Sequence, residues 1–97
     1  MLNPKQVRYL KAEAHHVEAL YQVGKNKLGP TQIDLLMNGL KARELIKVRV
    51  LKSVDLDFAA FAHELASTLE AELVETKGHI ITLFKAKAKE SQFKLPQ

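Results

Sequence analysis

Along this chain the spacing of apolar residues switches repeatedly between helical and strand periods. Val7, Leu10, Ala14 and Val17 recur at helical spacing. So do Ile33, Leu36, Met37 and Leu40, and later Phe58, Phe61, Ala62, Leu65 and Leu69. Between them lie short runs of strand character: Leu20–Val23, Glu44–Leu51, Leu73–Thr76 and His79–Phe84. In the Glu44–Leu51 run, Ile46, Val48 and Val50 point one way while Lys47 and Arg49 point the other. The spacing therefore predicts the order α-β-α-β-α-β-β.

Local signals support these boundaries. Asn3 can cap the first helix, Pro4 suits its first position, and Gln6 can close a capping box. Gly29-Pro30 opens the second helix, and Asp55 or Asp57 can cap the third. Gly39, inside the second helix, costs about 1 kcal/mol relative to Ala and so hints at close packing. Only Lys77-Gly78 separates the last two runs, which predicts an antiparallel hairpin. The His79–Phe84 run is apolar on both faces, as a central strand covered on both sides would be. Strand–helix–strand units call for right-handed crossovers and parallel strands, and the hairpin adds an antiparallel one. The expected class is α/β, more closely an α+β arrangement of two to three layers around a mixed four-stranded sheet.

Ninety-seven residues suffice for one small domain. We expect it over residues 1–84, with 85–97 as a basic tail that has lost periodicity. The absence of cysteine removes disulfides, thiol nucleophiles and zinc knuckles. Apolar runs are far too short to span a bilayer, and the first residues do not read as a secretory signal. No membrane partner is expected, and a cytoplasmic or organellar-matrix location is the default.

The net charge of +4 is distributed in blocks. Residues 1–52 carry +6, residues 53–76 carry −6 with no Lys or Arg, and residues 77–97 carry +4. A basic face is an electrostatic footprint for phosphates, although a solvated surface has the same composition. Helix one adds a loose basic stripe at Lys5, Arg8 and Lys11.

The main candidate site is Gly24-Lys25-Asn26-Lys27 with Gly29, at the junction of the first strand and the Pro30 helix. Glycine allows close backbone approach, a helix N-terminus favours anions, and the lysines add full charges. The stretch lacks the spacing and the Lys-Ser/Thr ending of a Walker loop. By its residues alone it also fits an ordinary connection.

Other chemistry finds little support. His15 and His16 are neighbours and cannot share a helical face, His63-Glu64 lacks a second zincin histidine, and His79 stands alone. No metal and no cofactor are expected. Ser53, Ser67 and Ser91 sit in no nucleophile elbow, and Glu70, Glu72 and Glu75 are accounted for by a helix end and a strand surface. No catalytic residues are expected. Tyr9 and Tyr21 are the only Phe, Tyr or Trp residues in the basic 1–52 block, so backbone contact is the expected mode rather than base stacking. Lys85, Lys87, Lys89 and Lys94 suit either a nucleic-acid arm or a solubilising end.

Four stretches together resemble a known family: Arg8-Tyr9-Leu10, Ala14-His15-His16, Val23-Gly24-Lys25-Asn26 and Ala42-Arg43-Glu44-Leu45-Ile46-Lys47-Val48. In this order and spacing, over roughly residues 2–84, they are similar to the CRM (chloroplast RNA splicing and ribosome maturation) domain in its single-domain, YhbY-like form. The resemblance implies an RNA-binding module of α-β-α-β-α-β-β order, similar to the C-terminal domain of translation initiation factor three. It further implies association with large-subunit precursors in bacteria, or group II intron splicing in plant organelles. The family's RNA loop is GxxG, and here Lys27 replaces the second glycine, with Gly29 following. Lys41, Arg43, Lys47 and Arg49 lie in the same basic half, the first two at the far end of helix two from the loop. The expected function is non-catalytic binding of ribosomal RNA during assembly of the large subunit, by a monomer. A protein-interaction adaptor using the acidic 53–76 segment, and a small enzyme of unfamiliar type, are the alternatives.

Overall fold

The computed structural model describes residues 2–19, 21–23, 29–51 and 58–86. The elements are α1 (Pro4–Ala14), β1 (Tyr21–Val23), α2 (Pro30–Arg43), β2 (Leu45–Val50), α3 (Phe58–Thr68), β3 (Glu72–Lys77) and β4 (Ile80–Phe84). The four strands form one mixed sheet in the order β1-β2-β4-β3. β1 runs parallel to β2, and β4 is antiparallel to both of its neighbours, β2 and β3. β3 therefore points the same way as β2, with β4 inserted between them. The two crossovers step across the sheet in one direction, so right-handed connections place α2 and α3 on the same face.

That face holds the larger core. Leu36 and Leu40 of α2 and Phe61, Ala62, Leu65 and Ala66 of α3 pack on Ile46, Val48 and Val50 of β2 and Ile81 and Leu83 of β4. Among the described residues the opposite face carries α1, whose Leu10 and Ala14 meet Leu45, Val74 and Phe84. β4 is buried from Ile81 to Phe84, as its two-sided apolar pattern requires.

The start signal of α1 works as anticipated. The Asn3 carboxamide accepts from the Gln6 N–H at 2.8 Å, and the Gln6 side chain accepts from the Asn3 N–H at 3.0 Å. Gly39 is explained by Tyr21: a Cβ at this position would lie 2.7 Å from the ring carbon bearing the hydroxyl. The missing side chain lets the ring lie against α2.

Several boundaries differ from the sequence reading. α1 ends at Ala14, and Val17 packs on the same cluster from beyond the helix. Glu44 does not begin β2. It is the C-cap of α2, buried, with φ 65°, and its N–H donates to the Leu40 carbonyl at 2.8 Å. Its own carbonyl accepts from the Lys85 N–H at 2.8 Å, one residue past β4. β2 stops at Val50, so Leu51 lies beyond it. The hairpin turn is Gly78-His79 rather than Lys77-Gly78, because Lys77 pairs with Ile80. Gly78 has φ 59°, the left-handed region where glycine avoids a Cβ penalty. A register shift between Leu73 and Glu75 makes Val74 an extra residue that still reaches the α1 core. The Asp55 and Asp57 caps and Leu20 lie outside the described residues.

Candidate nucleic-acid interface

One end of the sheet gathers its open polar groups. β1 and β2 finish there together: Val23 pairs with Val50, and the Leu51 N–H donates to the Val23 carbonyl at 3.0 Å. The β3–β4 turn is at the same end, where the Val50 N–H donates to the His79 carbonyl at 2.7 Å. Helix α2 also starts from this end, since only residues 24–29 separate β1 from Pro30. The helix returns to the opposite end, where Arg43 leads into Leu45.

Strand register lays a row across the sheet at this Val23 end. Gln22 pairs with Arg49, Arg49 with Ile80, and Ile80 with Lys77. Side chains directly opposite share a face, and Arg49 lies four residues from Leu45 on the same side of β2, so the row lies on the α1 face. Gln22, Arg49 and Lys77 are exposed and Ile80 is half-buried, so α1 leaves this strip open. The row below on this face holds Lys47, Thr82 and Glu75, with Thr82 buried and the two charges of opposite sign half-buried. The upper row has two cations and no anion, and is the stronger attractor for phosphate.

The sequence-predicted residues divide between the two ends. Arg49 belongs to the open row, and Lys47 lies one row below. Gly24, Lys25, Asn26 and Lys27 lie outside the described residues, although Val23 and Gly29, which they join, are described. The Gly29 N–H donates to the Gln32 side chain at 2.9 Å, so that amide is already engaged. Lys41 and Arg43 are exposed in the last turn of α2, at the Leu45 end. Lys5 belongs to the same end: Leu2 and Gln6 line a groove of about 360 Å³ with Glu72, Phe84 and Lys85. Arg8 is exposed and Lys11 half-buried further along α1. Among the described residues, the cations of the basic half therefore do not form one patch.

Lys77, Gln22 and His79 were missed by the sequence reading. Strand directions carried the signal: a β3 parallel to β2 must end beside Val50, which puts the hairpin tip next to Arg49. His79 lies against Phe58 of α3, with ring centroids 5.8 Å apart and planes at 59°. Lys85, grouped with the tail lysines, is tied back: its Nζ donates to the Leu69 carbonyl at 3.3 Å and lies 4.0 Å from Glu70. Lys87, Lys89 and Lys94 lie outside the described residues.

The two tyrosines serve the fold. Tyr21 covers Gly39. Tyr9 is half-buried, and burial, then the charge and hydrogen bond of Glu13, hold its phenol above the usual value. His15 and His16 are exposed just after α1, and His63 is exposed on α3. Among the described residues no three His, Asp or Glu side chains come together to hold a metal, and no helix is long and apolar enough to cross a membrane.

Comparison with known proteins gives a consistent family. The family model described as "CRS1 / YhbY (CRM) domain" matches residues 2–85. The chain is 38% identical over 96 residues to the "Probable RNA-binding protein YqeI" of Bacillus subtilis, covering 99% of this chain and 100% of that protein. It is 42% identical over 86 residues to the "Probable RNA-binding protein MJ0652" of Methanocaldococcus jannaschii, covering 87% of this chain and 63% of that one. Among solved structures, the Staphylococcus aureus protein SAV1595, described as "a putative RNA binding protein", matches with a TM-score of 0.83 and 33% identity, over 99% of this chain and 100% of that one.

Proposed function

Because the chain belongs to the CRS1/YhbY (CRM) domain family, we propose that it binds structured RNA without catalysing a reaction, and that this RNA is ribosomal RNA in precursors of the large subunit. The names of its relatives support RNA as the partner class. The observation that carries the reading is the open row Gln22–Arg49–Ile80–Lys77, cationic and free of carboxylates, beside the end of the sheet from which Gly24–Lys27 depart. An Arg guanidinium engages phosphate oxygens through a planar fork of donors, and a Lys ammonium adds a point charge. Such contacts position an RNA backbone without reading its sequence. In this reading the protein acts as a cytoplasmic monomer.

Gradient sedimentation of lysate with immunoblotting tests the proposal. Co-migration with precursor large subunits that is lost on RNase treatment is the expected result. Co-migration that survives RNase would instead favour contact with a basic ribosomal protein, which the acidic charge of residues 53–76 would suit. Failure to co-migrate with any RNA-containing particle would overturn the reading.

A further inference from the structure

At the Val23 end the sheet face is not only basic. A groove of about 500 Å³ opens there, lined by Arg49, Val50, Leu51, Gly78, His79 and Ile80. This volume falls within the roughly 300–1,000 Å³ of small-ligand sites. Its walls combine two chemistries. Leu51 is 38% exposed, one of the two large apolar side chains left open among the described residues, and Ile80 beside it is half-buried. Gly78 contributes no side chain, and the space where a Cβ would stand is empty to 4 Å. Arg49 stands at one side of Ile80 and Lys77 at the other, both exposed, because each pairs with Ile80 across a strand boundary.

A duplex backbone would use the cations but leave Leu51 and Ile80 in contact with water. An unpaired nucleotide uses both: its base covers apolar surface while its flanking phosphates meet the charges. RNA recognition commonly targets such unpaired, splayed bases, and apolar side chains as well as aromatic ones can hold a base taken out of its stack. Resting on the RNA-binding reading above, we infer that the groove between the end of β2 and the β3–β4 turn receives one unpaired nucleotide, with its base on Leu51 and Ile80 and its phosphates at Arg49 and Lys77. The protein then prefers RNA with a loop or bulge to continuous duplex. This base contact comes from aliphatic side chains and a turn, and needs neither tyrosine.

The test compares two RNA probes: a hairpin with an unpaired loop, and a blunt duplex of the same stem sequence. The wild-type chain should bind the hairpin about fivefold to tenfold more tightly, the low end of what one base stacked on an aromatic ring contributes. Leu51→Ser should bring that ratio close to one while leaving duplex affinity nearly unchanged. Arg49→Gln should weaken both probes and keep the ratio. Should Leu51→Ser fail to fold, 2-aminopurine in the hairpin loop reads the contact directly in the wild-type protein. Its fluorescence should change on binding with the base in the loop and stay constant with it in the stem. Equal wild-type affinity for the two probes would overturn the groove assignment while leaving RNA binding intact. Absence of binding to either probe at low salt would overturn the RNA-binding reading itself.

Discussion

The two faces of the sheet are covered very differently. The face under α2 and α3 holds a continuous cluster from Val23 through Ile46, Val48 and Ile81 to Leu65 and Leu69. The face under α1 holds a smaller group, Leu10, Ala14, Leu45, Val74 and Phe84, confined to the Leu45 end. Strand alternation creates the contrast: the α2/α3 face of β2 reads Ile46, Val48, Val50, while its other face reads Leu45, Lys47, Arg49. Among the described residues α1 packs at the Leu45 end of its face, and Gln22, Arg49 and Lys77 at the Val23 end stay exposed. Stability is concentrated on one side and an open polar strip is left on the other.

Mutation of matched core positions tests that division most strongly. Leu65 and Leu10 are both fully buried, one on each face. Leu65→Ala should cost about 3–4 kcal/mol, and Leu10→Ala about 2–3 kcal/mol, because the smaller cluster under a single helix can collapse around the gap. Denaturant unfolding measures both, and a larger loss for Leu10→Ala would reverse the assignment of the two faces.

Gly39→Ala sharpens the picture of the covered face. Helix propensity alone predicts a gain of about 1 kcal/mol. The Tyr21 ring stands where the new methyl must go, so a net loss of about 1–2 kcal/mol is expected from overpacking. A gain would show that the ring moves aside freely. At the open end, Gly78→Ala meets no neighbour but must hold φ near 59°, which should cost about 1 kcal/mol. Replacing Lys25 and Lys27 together by Ala should change stability by less than about 0.5 kcal/mol. The same change should flatten the salt dependence of RNA binding by about two phosphate contacts. An unchanged slope would make that segment a plain connection.

The element order, the Asn3–Gln6 capping box and the core faces were legible because each depends on neighbours in sequence. Asn3 and Gln6 are one turn apart, and the helical faces repeat within a few residues. The missed details depend on pairing. Lys77 joins β3 because Ile80 lies opposite it, and Glu44 leaves the strand pattern because the chain reverses at a residue with φ 65°. The candidate site was legible in type and only partly in place. Charge along the chain identified a basic half, but α2 carries Lys41 and Arg43 to the Leu45 end. Lys77, from the other basic block, comes into the same row as Arg49, across Ile80 of β4, because β3 runs in the same direction as β2.

That redistribution is the central claim, and one salt titration tests it. RNA affinity is measured across a range of salt for the wild type, for Arg49→Gln with Lys77→Gln, and for Lys41→Gln with Arg43→Gln. Each phosphate contact contributes about 0.7 to 0.9 to the magnitude of the slope of log affinity against log salt. Roughly three to six contacts are expected for the wild type. The Arg49/Lys77 pair should remove about two of them and weaken binding at every salt concentration. The Lys41/Arg43 pair should leave slope and affinity within about twofold of the wild type, although it removes the same charge. Equal loss from both pairs would mean that net charge, rather than the open row at the Val23 end, holds the RNA, and would contradict the account.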